Sequence, residues 1–217
     1  MPEGSDRITN SLAVPMSDRE LREADVDPDA MVQLGRWVTE AEQDGVPDWD
    51  AMVVATADAS GDPSARVVLL RGVDEHGVRF YSNYESRKGR DLDANPRAAL
   101  VLHWGTQGRQ VRVHGTVTRM TPEESVGYWA NRPPASRLSA WASRQSEPVA
   151  DREVLETTVA EVASRFGADD VPLPPFWGGY LVEPDEIELW QHRDDRLHDR
   201  LRYRRAGDAW LLDRLQP

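Results

Sequence analysis

The sequence predicts a mainly β protein with peripheral helices, an α+β fold built on an antiparallel barrel or sandwich. Five short β-like segments follow one another between Ala51 and Thr118, and turn-forming residues separate them. Few helices intervene, whereas a parallel sheet would need a helix after nearly every strand. A chain of 217 residues can bury one large core. We therefore expect a single domain over residues 27–217, preceded by a mobile N-terminal arm over residues 1–26.

An amphipathic helix is expected to open the domain. Asp27, Pro28 and Asp29 form a helix start, and apolar residues recur at helical spacing from Met31 until Gly45 stops the helix. The period then changes to that of strands, with a first hairpin turning at residues 58–62 and a second turn at residues 74–77. The expected strands in this half are residues 51–57, 66–71, 78–82, 98–104 and 110–118.

Three further helices are expected. Residues 86–94 follow the capping hydroxyl of Ser86, and Thr121 with Pro122 starts a helix that ends near the Pro133-Pro134 pair, where the chain bends into a loop. The third helix spans residues 151–166 and carries an apolar stripe that we expect to face the core, made of Val154, Leu155, Val159, Val162 and Phe166. The last strands are expected at residues 176–182, 187–191, 201–205 and 210–215.

Composition excludes several classes of function. The chain carries a net charge of −12, which disfavours general nucleic-acid binding, and it has no apolar run long enough to span a membrane. There is no signal peptide, so a cytoplasmic location is expected. With no cysteine and with five scattered histidines, a metal site is not expected. Neither a glycine-rich dinucleotide fingerprint nor a Walker-type phosphate loop is present.

A first candidate anion site lies at the start of the second helix. Of the 26 basic residues, Lys88 is the one lysine, and it follows Arg87 in a helix start that comes directly after a strand ending in Tyr81 and Ser82. Free backbone amides, the helix dipole and two adjacent cations suit a phosphate monoester. The alternative is a solvated basic turn with Ser86 as its cap.

Three more groups of residues could bind anions. Arg66 and Arg71 flank one apolar strand, and Tyr128, Arg132 and Ser136 recur at steps of four, which suits a second anion if they converge. Solvated strand ends and an ordinary helix end are the alternatives.

Near the C-terminus, residues 190–200 are dense in aromatic and basic side chains, among which Arg196, His198 and Arg200 share one side of an extended chain. A planar anionic ring could lie there, although ordinary surface charge is equally compatible.

Taken together, these segments resemble the pyridoxamine 5′-phosphate oxidase family, flavoproteins of the FMN-binding split-barrel fold. The resemblance covers the chain from about Ala51 to Pro217, nearly four-fifths of its length. It rests on the motifs RVVLLR (66–71), FYSNYESRKG (80–89), GRQV (108–111), YWANRPPAS (128–136), WASRQS (141–146), PPFWGG (174–179), LWQ (189–191), RLHDR (196–200) and the closing DRLQP. Because several separated motifs occur in the right order, the resemblance is specific.

The resemblance implies site residues position by position. The residues that match the family's FMN contacts are Arg66, Val67, Leu69, Tyr81, Ser82, Arg87, Lys88, Gln110, Gln145, Ser146, Trp190 and Arg200. Among these, Arg87 and Lys88 would bind the FMN phosphate. The positions that match the cradle for the substrate's phosphate are Arg71, Tyr128, Arg132 and Ser136. Arg196 and His198 match the catalytic pair that covers the substrate ring. The family also implies a homodimer with FMN at the subunit interface.

The implied reaction is oxidation of pyridoxamine or pyridoxine 5′-phosphate to pyridoxal 5′-phosphate. Hydride passes from C4′ to flavin N5, and O₂ reoxidises the flavin to give H₂O₂. Arg196 would orient the ring, and His198 would hydrogen-bond substrate groups.

Three positions depart from the family's pattern and keep alternatives open. Arg71 stands where the family has lysine, His192-Arg193 replaces a glycine-containing loop, and the acidic N-terminal arm lacks the family's basic stretch. A related flavin oxidase of the phenazine-pathway type, acting on another reduced ring or amine, is one alternative. A non-catalytic carrier of FMN or pyridoxal phosphate is another.

Overall fold

The computed structural model describes residues 20–166 and 171–217, and within them the chain forms nine strands and five α-helices. The helices are α1 (Ala30–Gln43), α2 (Arg87–Ala94), α3 (Pro122–Ala130), α4 (Pro134–Ala142) and α5 (Arg152–Phe166). The strands are β1 (Ala51–Ala57), β2 (Pro63–Leu69), β3 (Gly72–Asp74), β4 (Gly77–Asn83), β5 (Arg97–Trp104), β6 (Arg109–Arg119), β7 (Trp177–Gln191), β8 (Asp199–Ala206) and β9 (Ala209–Arg214).

All nine strands belong to one curled antiparallel sheet. Its order is β2-β1-β5-β6-β7-β4-β3, and β8 and β9 extend from the second half of β7. The first half of β7 pairs with β4, while β6 pairs with β7 along almost its whole length. This arrangement confirms the predicted fold class, a mainly β fold with helices at its periphery. Strand β2 forms an edge of the sheet, which leaves one of its sides open to a ligand or a partner.

The long strand β7 was expected as two separate strands, and that prediction is wrong. Pro184 interrupts the apolar pattern, but the pairing of β6 with β7 changes register between His114 and Gly115, directly opposite the proline. A Cβ atom at Gly115 would lie 2.2 Å from the carbonyl oxygen of Glu183, so only glycine allows this close approach. The irregular pairing accommodates a residue without an amide hydrogen, and the strand continues through it.

The main core lies between α1 and the inner face of the sheet. Leu34 of α1 is fully buried in the same apolar cluster as Met52 and Val54 of β1. Helix α1 begins after Asp29, whose side chain caps it by accepting hydrogen bonds from the amides of Met31 and Val32. The burial of one face by alternating apolar residues follows the pattern from which the strands were predicted.

Helix α5 forms as predicted, but its apolar stripe is only partly buried, and Phe166 at its end packs against a small cluster and not against the main core. None of its residues is buried, and Val154 and Leu155 are 45% and 43% exposed. The helix packs on α4 at one side of a smaller cluster built around Trp129, Val171 and Trp177. Helical periodicity therefore indicated the element correctly but not the surface that it buries.

The described part of the expected N-terminal arm packs on the domain. Leu21 is buried, its amide donates to Asp199, and its carbonyl accepts a hydrogen bond from Arg214 at 2.8 Å. Residues 1–19, which make up the rest of that arm, lie outside the described residues. No helix in the described ranges combines the length and apolar character needed to cross a bilayer.

Candidate active site

A cleft of about 920 Å³ opens beside the edge strand β2, between the start of α2 and the helices α3 and α4. It brings together thirteen of the residues predicted to bind a cofactor or substrate. These are Arg66, Val67, Leu69, Arg71, Tyr81, Ser82, Arg87, Lys88, Tyr128, Arg132, Ser136, Gln145 and Ser146. Residues up to eighty positions apart in sequence thus line a single site.

Lys88 lies inside this cleft with only neutral acceptors around its ammonium group. Its Nζ donates to the hydroxyls of Ser82 and Ser86, at 2.9 and 3.1 Å, and to Oε1 of Gln145 at 3.1 Å. Burial, with a smaller contribution from the nearby Arg66, lowers the pKa of Lys88 to about 8, and Asp91 opposes this shift only in part. A buried cation without a carboxylate in hydrogen-bond contact favours an anion from outside.

The local chain explains why Lys88 is held there. Ser86 caps α2 by accepting a hydrogen bond from the amide of Gly89. A Cβ atom at Gly89 would lie only 1.8 Å from the carbonyl oxygen of Tyr84, so glycine lets the first turn of α2 press against the chain leaving β4. The predicted helix start therefore forms as expected and faces the cleft.

Arg66 is held by a network centred on the buried carboxylate of Asp91. Asp91 accepts hydrogen bonds from Thr56 at 2.6 Å and from Ser64 at 2.9 Å, and it lies 3.9 Å from the Arg66 guanidinium. Arg66 itself donates to Thr56 and Ser64. Arg87, by contrast, is half-exposed and forms an ion pair with Asp62 at 2.7 Å. Arg66 is therefore fixed in place, whereas Arg87 can exchange its carboxylate partner for a ligand.

A second group of donors lies on the α3 and α4 side of the cleft. Tyr81 and Tyr128 stack with ring centroids 4.0 Å apart, and the Arg71 Nε donates to the Tyr128 hydroxyl at 2.9 Å. The Arg132 guanidinium lies over the Trp177 ring at 4.6 Å, and its Nε is buried without a hydrogen-bond partner among the described residues. Burial lowers the pKa of Arg132. Arg71, Tyr128, Arg132 and Ser136 thus all line this side of the cleft.

The Pro133-Pro134 pair does not form the expected loop. Pro134 is the first residue of α4, a position in which a proline costs a helix nothing because its missing amide would have no partner. The short link between α3 and α4 therefore carries Arg132, and Ser136 lies in the first turn of the new helix, with its carbonyl accepting a hydrogen bond from Arg132 at 3.3 Å. Two helices with a tight turn, and not one continuing helix, bring these residues together.

Five predicted site residues do not line the cleft of the single chain, namely Gln110, Trp190, Arg196, His198 and Arg200. They form a second group around β7 and β8. Gln110 and Arg200 lie opposite Trp190 in the sheet, and the His198 ring lies 4.6 Å from the Trp190 ring. Burial and the neighbouring His192 and Arg196 lower the pKa of His198.

Three carboxylates that hold the predicted cations were not expected from the sequence. Asp50 pairs with Arg71 at 2.6 Å, Asp91 supports Arg66, and the buried Glu188 accepts from Arg200 at 2.8 Å. Each is separated from its partner by at least twelve positions, so no local spacing signalled the pair. Across residues 20–166 and 171–217, no cluster of three His, Asp or Glu side chains could hold a metal ion.

Comparison with known proteins places the chain in a family. Residues 38–166 match the pyridoxamine 5′-phosphate oxidase family, and residues 177–217 match the pyridoxine 5′-phosphate oxidase C-terminal dimerisation region. A pyridoxine/pyridoxamine 5′-phosphate oxidase of Rubrobacter xylanophilus is 53% identical over the whole length of both chains. The oxidase of the same name from Cupriavidus taiwanensis is 52% identical and covers 91% of this chain and 93% of its own.

Two solved structures share the fold of the chain. PhzG from Burkholderia lata, determined in complex with tetrahydrophenazine-1-carboxylic acid, superposes with a TM-score of 0.86 at 35% identity, covering 92% of this chain and 98% of its own. A pyridoxamine 5′-phosphate oxidase-related, FMN-binding protein from Nostoc punctiforme shares the fold, with a TM-score of 0.69 at 18% identity over 87% of this chain and 98% of its own. From the family match and the full-length relatives, the chain belongs to the pyridoxamine 5′-phosphate oxidase family.

Proposed function

We propose that the chain is an FMN-dependent oxidase that converts pyridoxamine 5′-phosphate and pyridoxine 5′-phosphate to pyridoxal 5′-phosphate, with O₂ as electron acceptor. One observation carries this proposal: a single cleft contains two distinct sets of anion donors, one around Lys88 and one around Arg132. Two phosphorylated molecules lying side by side would satisfy both sets. The full-length relatives named as oxidases of these substrates support the same reaction.

The donors around Lys88 fit the phosphate of FMN. A phosphate dianion would supply the anionic partner that the buried ammonium lacks, and the half-exposed Arg87 can reach the same group. Further contacts would come from Arg66, Ser82, Gln145 and Ser146, and from the exposed Val67 and Leu69 on the edge strand. When bound, FMN supplies the two-electron chemistry by accepting hydride from C4′ and passing the electrons to O₂.

The donors around Arg132 fit the phosphate of the substrate. The Tyr128 hydroxyl accepts a hydrogen bond from Arg71, which leaves its own proton free to donate to an anion. Arg132 offers a buried Nε without a partner among the described residues, and Ser136 lies beside it in the first turn of α4. Together these groups would hold the phosphate and thereby fix the position of the C4′ carbon.

A second copy of the chain would complete the site. The C-terminal residues match a region named for dimerisation, and Val67 and Leu69, which share one face of the edge strand beside the cleft, are 63% and 46% exposed and offer an apolar surface to a partner. In a homodimer with FMN at the interface, the group of residues around β7 and β8 of one copy would face the cleft of the other. Arg196 would then orient the substrate ring, and His198 would hydrogen-bond its substituents.

The phenazine-type reaction is the second candidate, supported by the 35% identity to PhzG. The group of Arg71, Tyr128, Arg132 and Ser136 argues against it, because four donors suit the three terminal oxygens of a phosphate better than the two oxygens of a carboxylate such as that of the PhzG ligand. A carrier of FMN or pyridoxal phosphate would bind its ligand without turnover.

A visible absorption spectrum separates these possibilities. The purified protein is mixed with FMN, then with pyridoxamine 5′-phosphate under nitrogen, and finally exposed to air. We expect the flavin band to bleach on addition of the substrate, to return in air, and to be joined by the absorbance of the aldehyde product. A bound flavin that never bleaches with this substrate, but does so with a reduced phenazine precursor, would contradict the proposal.

A further inference from the structure

Arg71 is anchored on two sides before any ligand arrives. Its Nη1 donates to the Asp50 carboxylate at 2.6 Å and to the Leu70 carbonyl at 3.0 Å, while its Nε donates to the Tyr128 hydroxyl at 2.9 Å. The Asp50 and Arg71 side chains are 24% and 26% exposed, so the ion pair lies in the wall of the cleft and not in open solvent. The guanidinium therefore has a defined orientation in the free protein.

The first hairpin of the sheet creates this pair. Ala51 of β1 lies opposite Leu69 of β2, and just beyond that pair the amide of Leu70 donates to the carbonyl of Asp50 at 2.7 Å. Asp50 and Arg71 thus meet at the end of two paired strands, although twenty-one positions separate them. The backbone register, and not a flexible loop, sets the position of the carboxylate.

The bonds that hold Arg71 determine which hydrogen-bond donors remain available to a phosphate. With Nη1 and Nε engaged, Nη2 is the nitrogen left to meet a ligand, and the hydroxyl proton of Tyr128 is directed away from Arg71. A guanidinium can hold a carboxylate, a hydroxyl and a phosphate at once because its donors form a planar fork. A lysine ammonium at this position could not span the same three partners in one geometry.

We infer that Asp50 is a positioning residue that determines the affinity of the cleft for the phosphate group of the substrate, acting through Arg71. The inference rests on the proposed function, because it assigns the Arg71 side of the cleft to the substrate. Asp50 itself does not touch the phosphate. Its carboxylate fixes the guanidinium so that Nη2 and the Tyr128 hydroxyl point to one place.

Asp50→Ala and Asp50→Asn test the inference together. We expect Asp50→Ala to raise the KM for pyridoxine 5′-phosphate and the Kd for pyridoxal 5′-phosphate about tenfold, with kcat changed less than about twofold. Asp50→Asn should stay within about threefold of wild type, because its amide oxygen still accepts from Nη1. The KM for pyridoxine, which lacks the phosphate, should be unchanged in both variants. Asp44→Ala, an exposed carboxylate bonded to Gln107, is the matched control.

Several outcomes would overturn the inference. If Asp50→Ala binds pyridoxal 5′-phosphate as well as or better than wild type, the carboxylate competes with the ligand instead of positioning Arg71. If the KM for pyridoxine rises by the same factor, Asp50 has a general structural role. Binding of pyridoxal 5′-phosphate is measured without turnover, so a wild-type protein that binds the aldehyde but oxidises nothing would refute the proposed function and still leave Asp50 testable.

A double-mutant cycle checks that Asp50 acts through Arg71. In an Arg71→Lys background the fork is absent, so Asp50→Ala should change the Kd for pyridoxal 5′-phosphate less than about threefold. The same tenfold loss in both backgrounds would overturn the inference, because the carboxylate would then act by another route.

Discussion

Replacing Lys88 with methionine is expected to remove a pH-dependent component of the stability of the FMN-free protein. Lys88 is 5% exposed, and burial followed by the charge of Arg66 lowers its pKa from 10.5 to about 8. Unfolding returns the amine to water, so between these two values the unfolded chain binds more protons than the folded one. The free energy of unfolding therefore rises with pH, by about 2 kcal/mol from about pH 7 to about pH 9.5.

Urea unfolding of the FMN-free wild-type protein and of Lys88→Met at several pH values measures this effect. The difference between the two curves isolates Lys88, because all other titrating groups are common to both proteins. Arg152→Met, which removes a cation from the exposed surface of α5, serves as the control and should leave the pH dependence unchanged. If wild type and Lys88→Met differ by a constant free energy across this pH range, the argument that Lys88 is destabilised by burial is refuted.

FMN should reverse the behaviour of Lys88. A bound phosphate favours the ammonium form, so the affinity for FMN should fall as the pH rises above about 8. Lys88→Met should bind FMN about 10- to 100-fold more weakly at neutral pH, the loss expected when a charge-assisted hydrogen bond worth about 1.5–3 kcal/mol is removed. Quenching of FMN fluorescence measures both effects. An affinity of Lys88→Met equal to that of wild type would contradict the assignment of this site.

Three further substitutions test other parts of the site. Arg196→Ala should bind FMN within about twofold of wild type but lower kcat at least about tenfold; an unchanged kcat would contradict its role at the substrate ring. Asp91→Ala should lower the free energy of unfolding, measured in urea, by about 3 kcal/mol, because it leaves the Arg66 guanidinium without its carboxylate. A loss below about 1 kcal/mol would contradict this role of the pair. Thr121→Ala should cost about 1 kcal/mol by removing the capping box that it forms with Glu124, and a thermal melt with an unchanged midpoint would refute this.

Features set by neighbouring residues were predictable from the sequence. The capping serine before α2, the hairpin of β1 and β2 and the proline at the start of α3 each depend on a few consecutive positions, and all three form as expected. The same local signals placed Lys88 at a helix start after a strand, and that helix start lines the cleft, whereas its role in binding an anion stays a prediction. Local chemistry was sufficient in these places.

Features that depend on distant contacts were missed or wrong. Asp50 and Asp91 acquire their roles only when β1, β2 and α2 come together, and no spacing in the sequence links them to Arg71 or Arg66. The chain between residues 182 and 187 was expected to separate two strands and Pro134 to lie in a loop, yet β7 continues through an irregular pairing at Pro184 and Pro134 begins a helix. The apolar stripe of α5 predicts a buried face, but within the single chain the helix packs on α4 and, through Phe166, on the smaller cluster without burying any residue fully.

The isolation of Lys88 has a consequence for chemical reactivity. Pyridoxal 5′-phosphate, the product of the proposed reaction, is an aldehyde that condenses with primary amines. The sequence contains one lysine, and its amine lies inside the cleft with a pKa lowered to about 8. No lysine side chain of this sequence therefore lies exposed at the surface. An oxidase built in this way can release its aldehyde without accumulating imine adducts on its own exterior.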